Sequence, residues 1–140
     1  MENARKSPAE IAQNLMLNHD AFSQWLGIEI VAITQESCTT KMTVSLQMTN
    51  GFGVAHGGIT YSFADSAFAF ACNALGIKSV SIETAISHLR PVFAHDVLTA
   101  HAVQNYAGNK TSVFTVEIHN QKAELVALFK GTAYRTGKAW

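Results

Sequence analysis

From Ile28 onward, apolar residues recur at every second position, apart from one long interruption. "IEIVAIT" and "CTTKMTVSLQM" read as two strands joined by the polar turn Gln35-Glu36-Ser37. "KSVSIETAISHL" sets Val80, Ile82 and Ile86 against Ser79, Ser81, Glu83 and Ser87. "DVLTAHAVQNY" and "TSVFTVEIHN" are linked by "AGNK", a Gly/Asn hairpin signal, and "AELVALFKGTAYRT" follows a polar turn at "QK". The interruption is a helical run from about Gly58 to Leu75, with Gly76 placed to end it. Ahead of the strands, Ser7-Pro8-Ala9-Glu10 is a helix start, with Ser as the cap and Pro at the first helical position. That helix runs to about Leu17, and a second short turn opens at Asp20 and closes at Gly27. Hairpin spacing after the long helix predicts an antiparallel sheet, so the class is α+β.

The long helix carries no single apolar stripe. Ile59, Tyr61, Phe63, Ala64, Ala67, Phe68, Phe70, Ala71, Ala74 and Leu75 cover nearly its whole circumference, which predicts burial on all sides by a curved sheet. Asp65 sits within this run. An unpaired carboxylate there costs several kcal/mol or shifts its pKa upward. No Lys or Arg lies within one turn on either side, while Ser62 and Tyr61 are within hydrogen-bonding reach but neutral. Asp65 is therefore either a solvated helix residue or a functional acid.

His56-Gly57-Gly58 stands at the start of that helix. An HGG run invites comparison with lipase oxyanion segments, but no GxSxG nucleophile elbow occurs. Gly51 and Gly53 begin a GxG whose third glycine falls at the wrong spacing for a dinucleotide fingerprint. None of the six histidines falls in an HExxH pattern, so a metal site has little support. What remains is backbone chemistry. Paired glycines at a helix N-terminus either turn the chain tightly or let a polarised carbonyl oxygen approach free N–H groups.

Spacing adds a constraint. Asp65 lies eight residues beyond Gly57, about 12 Å along a helix axis. One scissile carbonyl cannot touch both within a single chain, so a common site requires a second subunit related by a two-fold axis.

Composition points the same way. The 140 residues make one domain, spanning 1–140, with a helical lead-in over about 7–26. At 48% hydrophobic and 14% charged, the chain suits an oligomer that buries extra surface. Ten basic and ten acidic residues leave no field to attract nucleic acid or an anionic membrane. Cys38 and Cys72 lack CxxC or zinc spacing, and Cys72 reads as a small buried hydrophobe. There is no apolar signal region at the start and no membrane-length apolar run, so the expected location is cytoplasmic.

The pattern "NGFGVAHGGITYSFADSAFAFACN", followed by "HLRPVFAHDVLTAHAV", resembles the hotdog-fold acyl-CoA thioesterases of the phenylacetate-degradation (PaaI) type. The similarity runs from roughly Leu26 to Arg135. It implies a hotdog fold, in which a curved antiparallel sheet wraps a long central helix, and a homodimer that assembles to a homotetramer. It also implies hydrolysis of an aryl or fatty acyl-CoA with no metal or other cofactor.

By this resemblance Asp65 matches the catalytic carboxylate, as general base or nucleophile, and Gly57 the residue whose N–H polarises the thioester carbonyl. Asn50 matches the polar residue beside the reacting carbonyl, and His56 matches the motif histidine, a loop organiser or helper. Ser81 falls where some relatives carry a water-holding serine. Arg90 and Lys110 are candidates for the coenzyme A phosphates, or ordinary solvated charges. Phe52, Tyr61 and Phe68 either line an acyl pocket or pack the core. One departure is visible: relatives commonly carry Gly-Asp where this chain has His95-Asp96.

Two other readings stay open. A non-catalytic acyl-CoA-binding hotdog protein would bind without releasing thiol, although it has no need of a bare buried carboxylate. A hotdog dehydratase pairs a histidine with an acid, but its usual histidine motif is absent here.

Overall fold

A computed structural model describes residues 4–140. A wide-turned helical segment at Glu10–Met16 and a tighter turn at Leu17–His19 lead into α1 (Ala21–Trp25). Both starts follow from their caps: Ser7 Oγ accepts from the Glu10 N–H at 3.1 Å, and Asp20 accepts from the Ser23 N–H at 2.9 Å. Strands β1 (Glu29–Ile33) and β2 (Ser37–Thr43) come next. The long helix α2 (Gly57–Asn73) then precedes β3 (Ile77–His88), β4 (Val97–Ala107), β5 (Thr111–His119) and β6 (Leu125–Ala139).

The strands form one sheet in the order β1-β2-β4-β5-β6-β3, and every neighbouring pair is antiparallel. α2 lies in its concave face, packed on β2, β3, β4, β5 and β6. Phe68 sits at the centre of this core, with its ring against Phe114 and Phe129 at centroid distances of 5.9 and 5.8 Å. Gly131 of β6 passes so close that a Cβ there would stand 2.8 Å from the Phe68 ring. This is the hotdog arrangement expected from the sequence. Cys38 and Cys72 are both buried, and burial pushes both thiols up to about 12, so neither is a reactive thiolate.

Two strands differ from the expected pattern. "CTTKMTVSLQM" does not stay extended to Met48: β2 ends at Thr43, and Leu46–Met48 forms a tight turn that buries Met48. Past β2, Val44 pairs with the chain at His95 and Asp96 (2.7 and 2.9 Å), after which the chain turns toward α2. In β3, a register shift between Ser81 and Glu83 leaves Ile82 as an extra residue. The inward face accordingly switches from Ile77 and Ser79 to Thr84 and Ile86. Val80 and Ile82 are left 55% and 59% exposed on the last strand of the sheet.

Nor is α2 buried all round. Gly58 is exposed, and Ser62, Asp65 and Ala69 are half-buried, forming one open stripe at helical spacing.

Candidate active site

Residues 49–58 form a self-bonded loop that delivers the chain to the N-terminus of α2. Thr49 bridges Ala55, the His56 N–H donates to the Met48 carbonyl at 2.8 Å, and the Ala55 N–H donates to the Val92 carbonyl at 2.7 Å. Asn50 organises the tip. Its Oδ1 accepts from the N–H groups of Phe52 (2.9 Å) and Val54 (3.4 Å), while its own N–H reaches the Val54 carbonyl at 2.8 Å. Phe52 projects from this tip, 91% exposed.

The helix N-terminus is arranged unevenly. His56 caps it, its Nδ1 accepting from the Gly58 N–H at 2.9 Å. The Gly57 N–H has no acceptor among the described residues. A donor left free at the positive end of a 17-residue helix suits a developing negative charge.

Asp65 lies two turns further on, along the open stripe of α2. Burial alone pushes its carboxyl above the ordinary value. Neither neighbour that could hydrogen-bond it does so: the Tyr61 hydroxyl pairs with Thr84, and it is Ser66, on the next turn, that pairs with Ser23 at 2.8 Å. A carboxylate that has no partner among the described residues and is made more basic by burial is suited to taking a proton.

Two clefts flank the HGG turn. One, of about 390 Å³, is lined by Gly57, Thr60, His88, Arg90 and Val92. The other, of about 330 Å³, is lined by Phe22, Trp25, Met48, His56, Gly58 and Ser62. Phe22 and Trp25 stack at 5.9 Å and remain 50% and 61% exposed.

The remaining candidates scatter. Arg90 lines the first cleft and pairs with Glu124 at 3.4 Å. Lys110 lies in the β4–β5 turn, and Ser81 is exposed on β3 opposite Ala133; neither lines these clefts. Tyr61 packs edge-on against Phe129, and Phe68 is in the core. His88, Thr60, Phe22 and Trp25 were not singled out from the sequence. For His88 no local signal exists, because its partners are 28 residues away or more. Among the described residues, no three His, Cys, Asp or Glu side chains converge to hold a metal ion, and no helix is long and apolar enough to cross a membrane.

Comparison with known proteins bears on the fold and the family. The thioesterase superfamily model matches residues 52–127. The acyl-coenzyme A thioesterase PaaI of Escherichia coli (strain K12) is 43% identical over 122 residues, covering 87% of this chain and 87% of that protein. The solved structure of the E. coli PaaI protein from the phenylacetic acid degradation operon has a TM-score of 0.90 at 41% identity, covering 94% of this chain and 96% of that one. A hypothetical thioesterase from Streptococcus pneumoniae TIGR4, solved with coenzyme A, gives a TM-score of 0.83 at 27% identity, covering 88% and 96%. The chain belongs to the thioesterase superfamily. It is a PaaI-like thioester hydrolase of hotdog fold.

Proposed function

We propose that the protein hydrolyses acyl-CoA thioesters in the cytoplasm at sites shared between two subunits. Each site would take the Gly57 N–H and Asn50 from one chain and Asp65 from the other. The observation that carries this reading is the pair of groups left without partners among the described residues: the Gly57 N–H and the Asp65 carboxylate. They are separated by about 12 Å of helix, too far for one carbonyl within one chain. β3 supports the dimer. It is a 12-residue edge strand carrying exposed Val80 and Ile82, a surface that aggregates unless covered. Antiparallel pairing with a second copy of β3 would bring the two helices side by side in opposite directions. Two such dimers would make the tetramer.

In this mechanism Asp65 takes a proton from water as the water oxygen attacks the thioester carbon. The Gly57 N–H holds the resulting oxyanion, and its removal is worth about 3 kcal/mol. Collapse of the tetrahedral species breaks the carbon–sulfur bond, and the proton held by Asp65 passes to the departing coenzyme A sulfur. The products are the free acid and coenzyme A. The raised basicity of Asp65 favours this role over direct attack. The Arg90 cleft suits the polar coenzyme A arm, and the Phe22–Trp25 cleft suits an aryl or fatty acyl group.

Thiol release from a panel of acyl- and aryl-CoAs tests the reading. Asp65→Asn is expected to lower kcat by about 10²–10⁴-fold while keeping fold and dimer. Full activity in Asp65→Asn would refute the mechanism, and tight coenzyme A binding without thiol release by the wild type would favour a non-catalytic binder.

A further inference from the structure

Thr60 is buried on the first turn of α2, and its Oγ1 is placed to donate to the Gly57 carbonyl at 3.0 Å. His88 Nδ1 lies 3.2 Å from the same oxygen. Which group donates in that contact depends on the histidine tautomer. With the threonine hydrogen on the Gly57 carbonyl, the donor is Nδ1–H, so this arrangement goes with the Nδ1–H tautomer. The far side of the ring covers Gly57, with Nε2 placed 3.2 Å from where a Cβ on that residue would stand.

We propose that His88 is a positioning residue for the Gly57 amide. The relay runs from His88 Nδ1–H to Thr60 Oγ1–H to the Gly57 carbonyl, and the ring closes off the space above the Gly57 Cα. This rests on the reading of Gly57 as the oxyanion donor. Two adjacent glycines have wide conformational freedom, and a catalytic donor displaced by about 1 Å costs up to ~100-fold in rate. His56 fixes Gly58 by accepting its N–H, and the His88–Thr60 relay fixes Gly57 by its carbonyl. The Gly57 N–H is left without an acceptor among the described residues. His88 comes from the end of β3 and Thr60 from α2, so the relay also ties the turn to the sheet.

Two measurements on the full chain decide it. Nitrogen-15 NMR of the histidine rings is expected to show neutral His88 as the Nδ1–H tautomer, and Thr60→Val to abolish that preference. In kinetics with an acyl-CoA, His88→Phe keeps a ring over Gly57 but no donor, and is expected to lower kcat about tenfold with KM changed less than about twofold. Thr60→Val is expected to match that loss, and the double variant to be no worse than either single one. His88→Asn, whose amide N–H stands in for Nδ1–H, is expected to recover most of kcat. His88 is solvent-exposed, so its variants should fold, which melting temperatures check. An Nε2–H tautomer in the wild type, full kcat in His88→Phe, or additive losses in the double variant would overturn the proposal. If the wild type turns over no acyl-CoA, the oxyanion reading fails, while the tautomer still decides the relay.

Discussion

His56 Nδ1 accepts the Gly58 N–H at 2.9 Å, and the amide one residue earlier, at Gly57, is left without an acceptor among the described residues. The cap satisfies one donor of the helix N-terminus and sets the other apart. His56→Ala should therefore weaken the helix start and free a second amide. The expected loss is about 1 kcal/mol of stability by denaturant titration, with a fall in kcat. His56→Asn, which can still cap, should keep most of the stability.

The stacked pair Phe22 and Trp25 gives the second cleft its apolar wall. If this cleft takes the acyl group, Trp25→Ala should raise KM for phenylacetyl-CoA by roughly tenfold, the value of one aromatic contact, and leave acetyl-CoA nearly unchanged. Equal effects on both substrates would move the acyl group elsewhere.

Burial raises the Asp65 pKa, so protonation is easier in the folded protein than in the unfolded chain. Stability from this group is therefore fully present below its unfolded pKa and is lost as pH rises through the folded value. At neutral pH the ionised acid destabilises the fold. Asp65→Asn should melt higher than wild type at pH 7, with the gap closing in strong acid. The wild-type rate should rise with pH as Asp65 ionises, with a midpoint above the ordinary 3.8. A variant that melts lower at pH 7 would mean that the carboxylate has a stabilising partner.

His95 lies in the left-handed region at φ 74°, where a side chain is strained. Glycine adopts that conformation freely. His95→Gly should raise stability by up to ~1 kcal/mol in chemical denaturation and leave kcat unchanged.

Much of this was legible in the residues. Ser7, Asp20 and Gly76 set element ends through local capping chemistry, so these could be read directly. The unpartnered Asp65 and the two glycines of the HGG turn were visible as locally uneconomical choices. Meetings between distant segments were not visible. The bulge at Ile82 depends on how β3 registers against β6, and it reverses the face that alternation alone would assign. β2 ends at Thr43, and beyond it Val44 meets the loop at His95–Asp96, where the ladder with β4 runs out. His88 lies over Gly57 only once β3 has docked beside the helix, and nothing in "SHLRP" signals that contact.

The shared site can be tested by mixing subunits. Gly57→Pro removes the donor amide at the first helical position, where proline is tolerated; His56 already has the extended conformation (φ −57°, ψ 137°) that proline requires before it, and the exposed His88 ring, 3.2 Å from the new Cβ, must shift by a few tenths of an ångström. Asp65→Asn removes the base. Each variant alone should be nearly inactive. After both are unfolded and refolded together in equal amounts, half of the dimers are mixed and each carries one intact site, so thiol release should return to about a quarter of wild type. A mixture as inactive as its two parents, despite proven subunit exchange, would place Gly57 and Asp65 in the service of one chain and contradict the account.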